Sequence, residues 1–144
     1  MLVGISPLFS PELLATIYAM GHGDELVLAD AHFPGESQGV DVIRADGLKI
    51  PDLLEAILPL FALDTHSDHA AFMMAPVEGD VIDPNVESTY RKSIDSHWPD
   101  ISPIAMVERF AFYEQARSAF AIVQTGDTQT YANLIIKKGV TPLG

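Results

Sequence analysis

The chain contains no cysteine, which excludes disulfides, thiolate nucleophiles and cysteine-ligated zinc together, and nothing in it calls for an oxidising compartment. Positive charge is scarce. Eight Lys and Arg stand against twenty Asp and Glu, a formal charge of −12, and the basic residues are scattered along the chain. Nucleic acids and anionic membranes are held by clustered basic groups, so neither is expected as a partner. No apolar stretch approaches the ~20 residues of a membrane span, and Met1 to Pro7 lacks the basic start of a signal peptide. The expectation is a cytoplasmic protein. A Gly-x-Ser-x-Gly nucleophile elbow is absent, as is a glycine-rich phosphate loop. Gly21-His22-Gly23 has the beginning of a dinucleotide fingerprint, but it follows a predicted helix where a strand is required.

What is present suits one domain with a substantial core: 144 residues, 48% hydrophobic and 19% charged. Ser10-Pro11-Glu12 supplies a cap, a first-turn proline and an early acid for a helix, with Leu13, Leu14, Ile17 and Tyr18 on one face and Gly21 placed to end it in the left-handed conformation. Glu25 to Ala29 reads as a short buried strand. A turn-rich segment, 34–39, then leads to a second strand over 40–45. Pro51-Asp52 opens another helix, which Pro59 should bend or shorten. The apolar run 70–77 predicts a strand buried on both faces. Asp83-Pro84 starts a helix to about Ser96, 104–107 is extended, 111–117 helical, and 119–124 and 134–136 are strands. Helices alternate with strands, which predicts a layered helix-sheet-helix α/β domain with a largely parallel sheet.

Chemistry concentrates around the first strand, with His22 at its entrance and Asp30 at its exit. Together with Asp24 and His32 these residues are all metal-ligand types, so a metal-dependent hydrolase is one reading. Their spacing has no His-x-x-x-His and no second acidic cluster to support it, and His66 and His69 read as parts of a solvated loop. Acid–base work on a neutral ligand is the other reading. A histidine titrates near neutrality, and a carboxylate at a strand end can orient it or grip a hydroxyl. The bland alternative has His22 satisfying helix-end carbonyls and Asp30 capping a turn. Arg109 is either an ion-pair partner or a planar fork for hydroxyls and carboxylates. Tyr131 and Asn133 flank Ala132 before the last strand, where period-two geometry would aim both side chains the same way.

Several blocks, in order along almost the whole chain, carry a family resemblance. They are Ile5-Ser6-Pro7, Ser10 to Leu14, Met20-Gly21-His22-Gly23-Asp24-Glu25, Asp30-Ala31-His32-Phe33-Pro34, Val42 to Gly47, Val77-Glu78-Gly79-Asp80, Arg109 to Glu114, Tyr131-Ala132-Asn133 and Lys137 to Pro142. In these the sequence resembles the fucose mutarotase and ribose pyranase family, and Arg109 with Phe-Ala-Phe-Tyr-Glu resembles its fucose branch. The resemblance implies an α/β subunit of ribose pyranase type, assembled into rings, commonly decamers, with sites near subunit boundaries. It implies His22 as proton donor, and Asp30, Arg109, Tyr131, Ala132 and Asn133 as the sugar-binding set. The activity implied is interconversion of the α and β anomers of L-fucose by acid–base ring opening and reclosure, with neither metal nor other cofactor. A non-catalytic monosaccharide-binding protein and a ribose-type pyranase are the alternatives.

Overall fold

A computed structural model describes residues 1–144. Helix α1 (Pro11–Ala19) begins where Ser10, in extended backbone, accepts a hydrogen bond from the Leu13 N–H at 3.1 Å, with Glu12 beside the positive helix end. The left-handed residue beyond it is Gly23, at φ 91°, and not Gly21 as expected. The Asp24 carboxylate explains this: its Oδ2 accepts from the Gly21 N–H at 2.8 Å and closes the turn without a positive φ at Gly21.

Strand β1 (Glu25–Ala29) follows, then a 3₁₀ turn over Gly35–Gln38 and β2 (Asp41–Ala45). Helix α2 (Ile50–Ile57) gives way at Pro59 to a 3₁₀ turn, Leu58–Leu60, because proline removes a backbone donor there. Strand β3 (Ala71–Met74) is shorter than the apolar run suggested. Ala75 makes one more bond, to the Val107 carbonyl at 2.7 Å, and Pro76 then turns the chain out of the sheet. Helix α3 (Pro84–His97) is capped by Asp83, and β4 (Ala105–Val107) leads to α4 (Arg109–Arg117). This last helix starts earlier than expected because the two oxygens of Glu108 accept from the N–H groups of Phe110 and Ala111, each at 3.0 Å. Arg109 is therefore its first residue. Strands β5 (Ala121–Thr125) and β6 (Leu134–Lys137) complete the chain.

The six strands lie in the order β2-β5-β1-β6-β3-β4. All neighbours are parallel except β6, which runs antiparallel to both β1 and β3, so the sheet is largely parallel, as expected, with one reversed strand inside it. Residues 126–133 are too few for a crossover back to the starting end of the strands, which takes a dozen or more residues, so β6 must return in the opposite sense. This reversal carries the connection past the exit of β1 and brings the end of β6 back to the entrance of β1.

Side chains alternate along β1. Leu26 and Leu28 face a core of 25 buried residues shared with α1, α2 and α3, while Val27 and Ala29 face a smaller one of nine built with Phe112 and Ala116 of α4. The helix-sheet-helix layering is thus as predicted, with one thick layer and one thin. On the thin side Phe110 is left 70% exposed.

Candidate active site

At the exit of β1 lies a cleft of about 260 Å³ whose walls include Asp30, Arg109, Tyr131 and Asn133. Asp30 is buried and held from several directions. Its Oδ1 accepts from the N–H groups of His32 and Phe33 at 3.0 and 3.1 Å, and Oδ2 from that of Ala132 at 3.4 Å. Its own N–H donates to Asn133 Oδ1 at 2.7 Å, and its carbonyl accepts from Gln124 Nε2 at 2.7 Å. Burial nevertheless wins over these bonds and pushes the carboxyl above its ordinary range. Because Asn133 spends its oxygen on Asp30, its two amide donors remain for a ligand.

Tyr131 has φ 54°, a left-handed conformation uncommon for a bulky residue. Extended period-two geometry is therefore not what aims Tyr131 and Asn133 at one cleft; the bend at Tyr131 does so. Its hydroxyl accepts from the Val77 N–H at 3.2 Å and donates to Asp80 Oδ2 at 2.5 Å. That bond to Asp80 raises the phenol's pKa. Arg109 has no carboxylate within ion-pair distance, and its guanidinium carbon lies 5.5 and 6.0 Å from the ring centres of Phe110 and Tyr113. Tyr113 in turn stacks on Phe33 at 5.5 Å, giving the cleft an apolar wall. Ala132 does not line the cleft: its side chain is buried, and its backbone ties Asp30 to the hydroxyl of Tyr90, whose bond to the Ala132 carbonyl is 2.7 Å.

His22 is elsewhere. It sits at the entrance of β1, and at ~3.3 Å per residue that strand alone sets the two ends about 13 Å apart. The candidate metal set is split by the same distance, since Asp24 stays with His22 while Asp30 and His32 line the distant cleft. In place of that set the structure shows a residue the sequence reading passed over, Asp64, whose Oδ1 lies 3.0 Å from His22 Nε2. Asp64 is buried, and it accepts from the N–H groups of His66 and Ser67 and from the Ser67 hydroxyl. Burial would raise its pKa, but these bonds and the one to His22 outweigh it and hold the carboxyl well below the usual range. An ionised carboxylate only accepts, so the His22 proton facing it is on Nε2 and the half-exposed ring turns Nδ1 away. Asp64-Thr65-His66-Ser67 is a turn in which a carboxylate bonds N–H groups two and three residues ahead, a signal that was available in the sequence.

One chain thus carries two chemical assemblies at opposite ends of one strand. One is an imidazole oriented by a buried carboxylate, able to give or take a proton. The other is a cleft that gathers hydrogen-bonding side chains beside an aromatic wall. The family model of the RbsD / FucU transport protein family matches residues 3–141. The fucose mutarotase of Streptococcus pneumoniae, solved in complex with L-fucose, is 47% identical with a TM-score of 0.93, over 98% of this chain and 100% of that one. FucU from Bifidobacterium longum is 44% identical with a TM-score of 0.91, over 96% and 99%. Bacillus subtilis RbsD, complexed with D-ribose, shares the fold at 21% identity and a TM-score of 0.73, over 99% and 100%. The chain belongs to the RbsD / FucU family, in its fucose mutarotase branch.

Proposed function

We propose that this protein is an L-fucose mutarotase whose working site is shared between copies, His22 and Asp64 of one subunit facing the cleft of the next. The observation that carries the reading is the convergence of Asp30, Arg109, Tyr131 and Asn133 on one cleft with hydrogen-bonding capacity to spare. It is supported by the similarity to the S. pneumoniae fucose mutarotase bound to L-fucose. The separation of His22 from the cleft within one chain supports a homo-oligomeric ring, which we propose to be a cytoplasmic decamer.

The chemistry runs as two coupled proton transfers. Protonated His22 gives the Nδ1 proton to the ring oxygen as the bond from that oxygen to C1 breaks. The anomeric hydroxyl gives its proton to the Tyr131 oxygen as Tyr131 passes its own to Asp80, and C1 becomes the aldehyde. Rotation about C1–C2 offers the other carbonyl face. On reclosure the former ring hydroxyl attacks C1 and returns its proton to His22, while Asp80 returns one through Tyr131 to the new anomeric oxygen. Asp30, Arg109 and Asn133 hold the remaining hydroxyls. General acid–base catalysis contributes roughly 10²–10⁴-fold, sufficient for a reaction that already proceeds slowly in water.

Saturation-transfer NMR on L-fucose tests this. The wild-type protein is expected to accelerate exchange between the anomers, and His22→Gln to lose that acceleration while still binding the sugar. Binding with no acceleration by the wild type would leave a monosaccharide-binding protein instead.

A further inference from the structure

We propose that His22, Asp64 and His66 form a binding site for a divalent transition-metal ion of the zinc type, and that the bound ion switches the mutarotase off. The inhibitory half of this rests on the function proposed above; the binding half does not.

The ligand atoms are already gathered. His22 Nε2 and His66 Nδ1 approach the same carboxylate oxygen, Asp64 Oδ1, at 3.0 and 3.5 Å, and the three groups offer donor atoms all within 4.8 Å of one another. Ligands of tetrahedral zinc at ~2.0–2.1 Å from the metal are about 3.3 Å from each other, so the two short edges bracket the required value. The third edge needs only a rotation of His66, which is 68% exposed and stands edge-on to His22 with ring centres 5.1 Å apart. Asp64 brings the support that metal ligands need: two N–H groups and the Ser67 hydroxyl fix it, and it is only 3% exposed.

The neighbouring cations are otherwise engaged. Lys138 Nζ donates to the Ile17 and Met20 carbonyls at 2.8 Å each, at the end of α1. Lys137 Nζ reaches the Ser67 hydroxyl at 3.4 Å and pairs with Glu25 at 3.8 Å. Three protein ligands and a solvent-facing side leave a fourth position for water, an open site rather than a closed structural one. Zinc prefers nitrogen and oxygen donors of this kind, whereas magnesium and calcium favour all-oxygen sets. On binding, Nε2 gives up its proton to solvent, and the ring becomes a ligand that no longer cycles as a proton donor.

Zinc titrated into metal-free protein by calorimetry is expected to bind once per chain, and cobalt in its place to show the visible absorption of a tetrahedral ion. His66→Phe keeps the edge-on packing but removes one ligand. Its zinc affinity should fall by more than the ~10–100-fold that loss of a mere supporting hydrogen bond costs a metal site. Zinc should abolish the anomer exchange of the wild type, with recovery on chelation, and leave His66→Phe active. Absence of binding to the wild type, equal binding by His66→Phe, or saturation with zinc at an unchanged exchange rate would each overturn the proposal. Metal-free protein that binds zinc through His66 yet never accelerates exchange would overturn the mutarotase reading and keep the ion site.

Discussion

Two inactive variants should make an active protein when they assemble together. His22→Gln removes the proposed proton donor and leaves the cleft intact; Arg109→Ala removes an exposed, unpaired guanidinium from the cleft and leaves the His22–Asp64 pair intact. If each site takes His22 from one subunit and the cleft from its neighbour, random 1:1 assembly makes about a quarter of the sites wholly wild type, one half for each contribution. Loss of a general acid lowers the rate by roughly 10²–10⁴-fold, so the mixture should exceed the His22→Gln protein by about 25-fold or more. The assay is L-fucose anomer exchange by saturation-transfer NMR, after the two proteins are unfolded together and refolded, with native mass spectrometry confirming mixed assemblies. Were both halves of the site to come from one chain, every site would carry a lesion. Mixed assemblies no more active than either parent would refute the shared site.

Asp30→Asn should cost the enzyme sugar affinity yet hold or gain stability at pH 7, since it relieves a buried carboxylate. Because folding raises the Asp30 pKa above its ordinary 3.8, the native state binds this proton more tightly; wild-type stability relative to the variant therefore rises as pH falls through the folded pKa, and urea titrations across pH 4–8 would show it. Asp80→Asn should lower kcat more than it raises KM, since Tyr131 would keep a neighbour but lose its proton acceptor; equal kcat for the two proteins would remove Asp80 from the relay. Gly126→Ala places a methyl carbon 1.8 Å from the Asp46 carbonyl oxygen, and the clash should cost about 1–3 kcal/mol in chemical denaturation. An unchanged denaturation midpoint would mean that the chain shifts there freely.

Much of the scaffold was legible because local chemistry fixed it. Ser10 and Asp83 cap the helices that follow them, Pro59 ends α2, and the alternation along β1 divides two cores, all as residue types and periodicity predict. What could not be read was set by distance in three dimensions. Nothing local to Leu134–Lys137 says that β6 lies between β1 and β3 or runs against both, and Asp64 is 42 residues from the histidine it binds. The start of α4 was misplaced for a nearer reason: Glu108, a less common cap than Ser or Asp, takes that role and puts Arg109 on the first turn.

The reversed strand also bears on the proposed shared site. A cleft ligand set needs Asp30 beside Tyr131 and Asn133, and the short connection into β6 delivers them to the exit of β1. The same strand then ends beside the entrance of β1, where the Gly23 N–H donates to the Lys138 carbonyl at 2.8 Å and the Lys138 N–H to that of Asp24, anchoring the turn that bears His22. The antiparallel β1–β6 pair therefore acts as a fixed spacer between the His22–Asp64 pair at one end and the cleft at the other, and no side-chain movement closes a gap of that length. Shortening it within one chain would break the ladder from Glu25–Lys137 to Leu28–Leu134, whereas the proposed pairing of one copy's His22 with the next copy's cleft leaves each sheet's ladder intact.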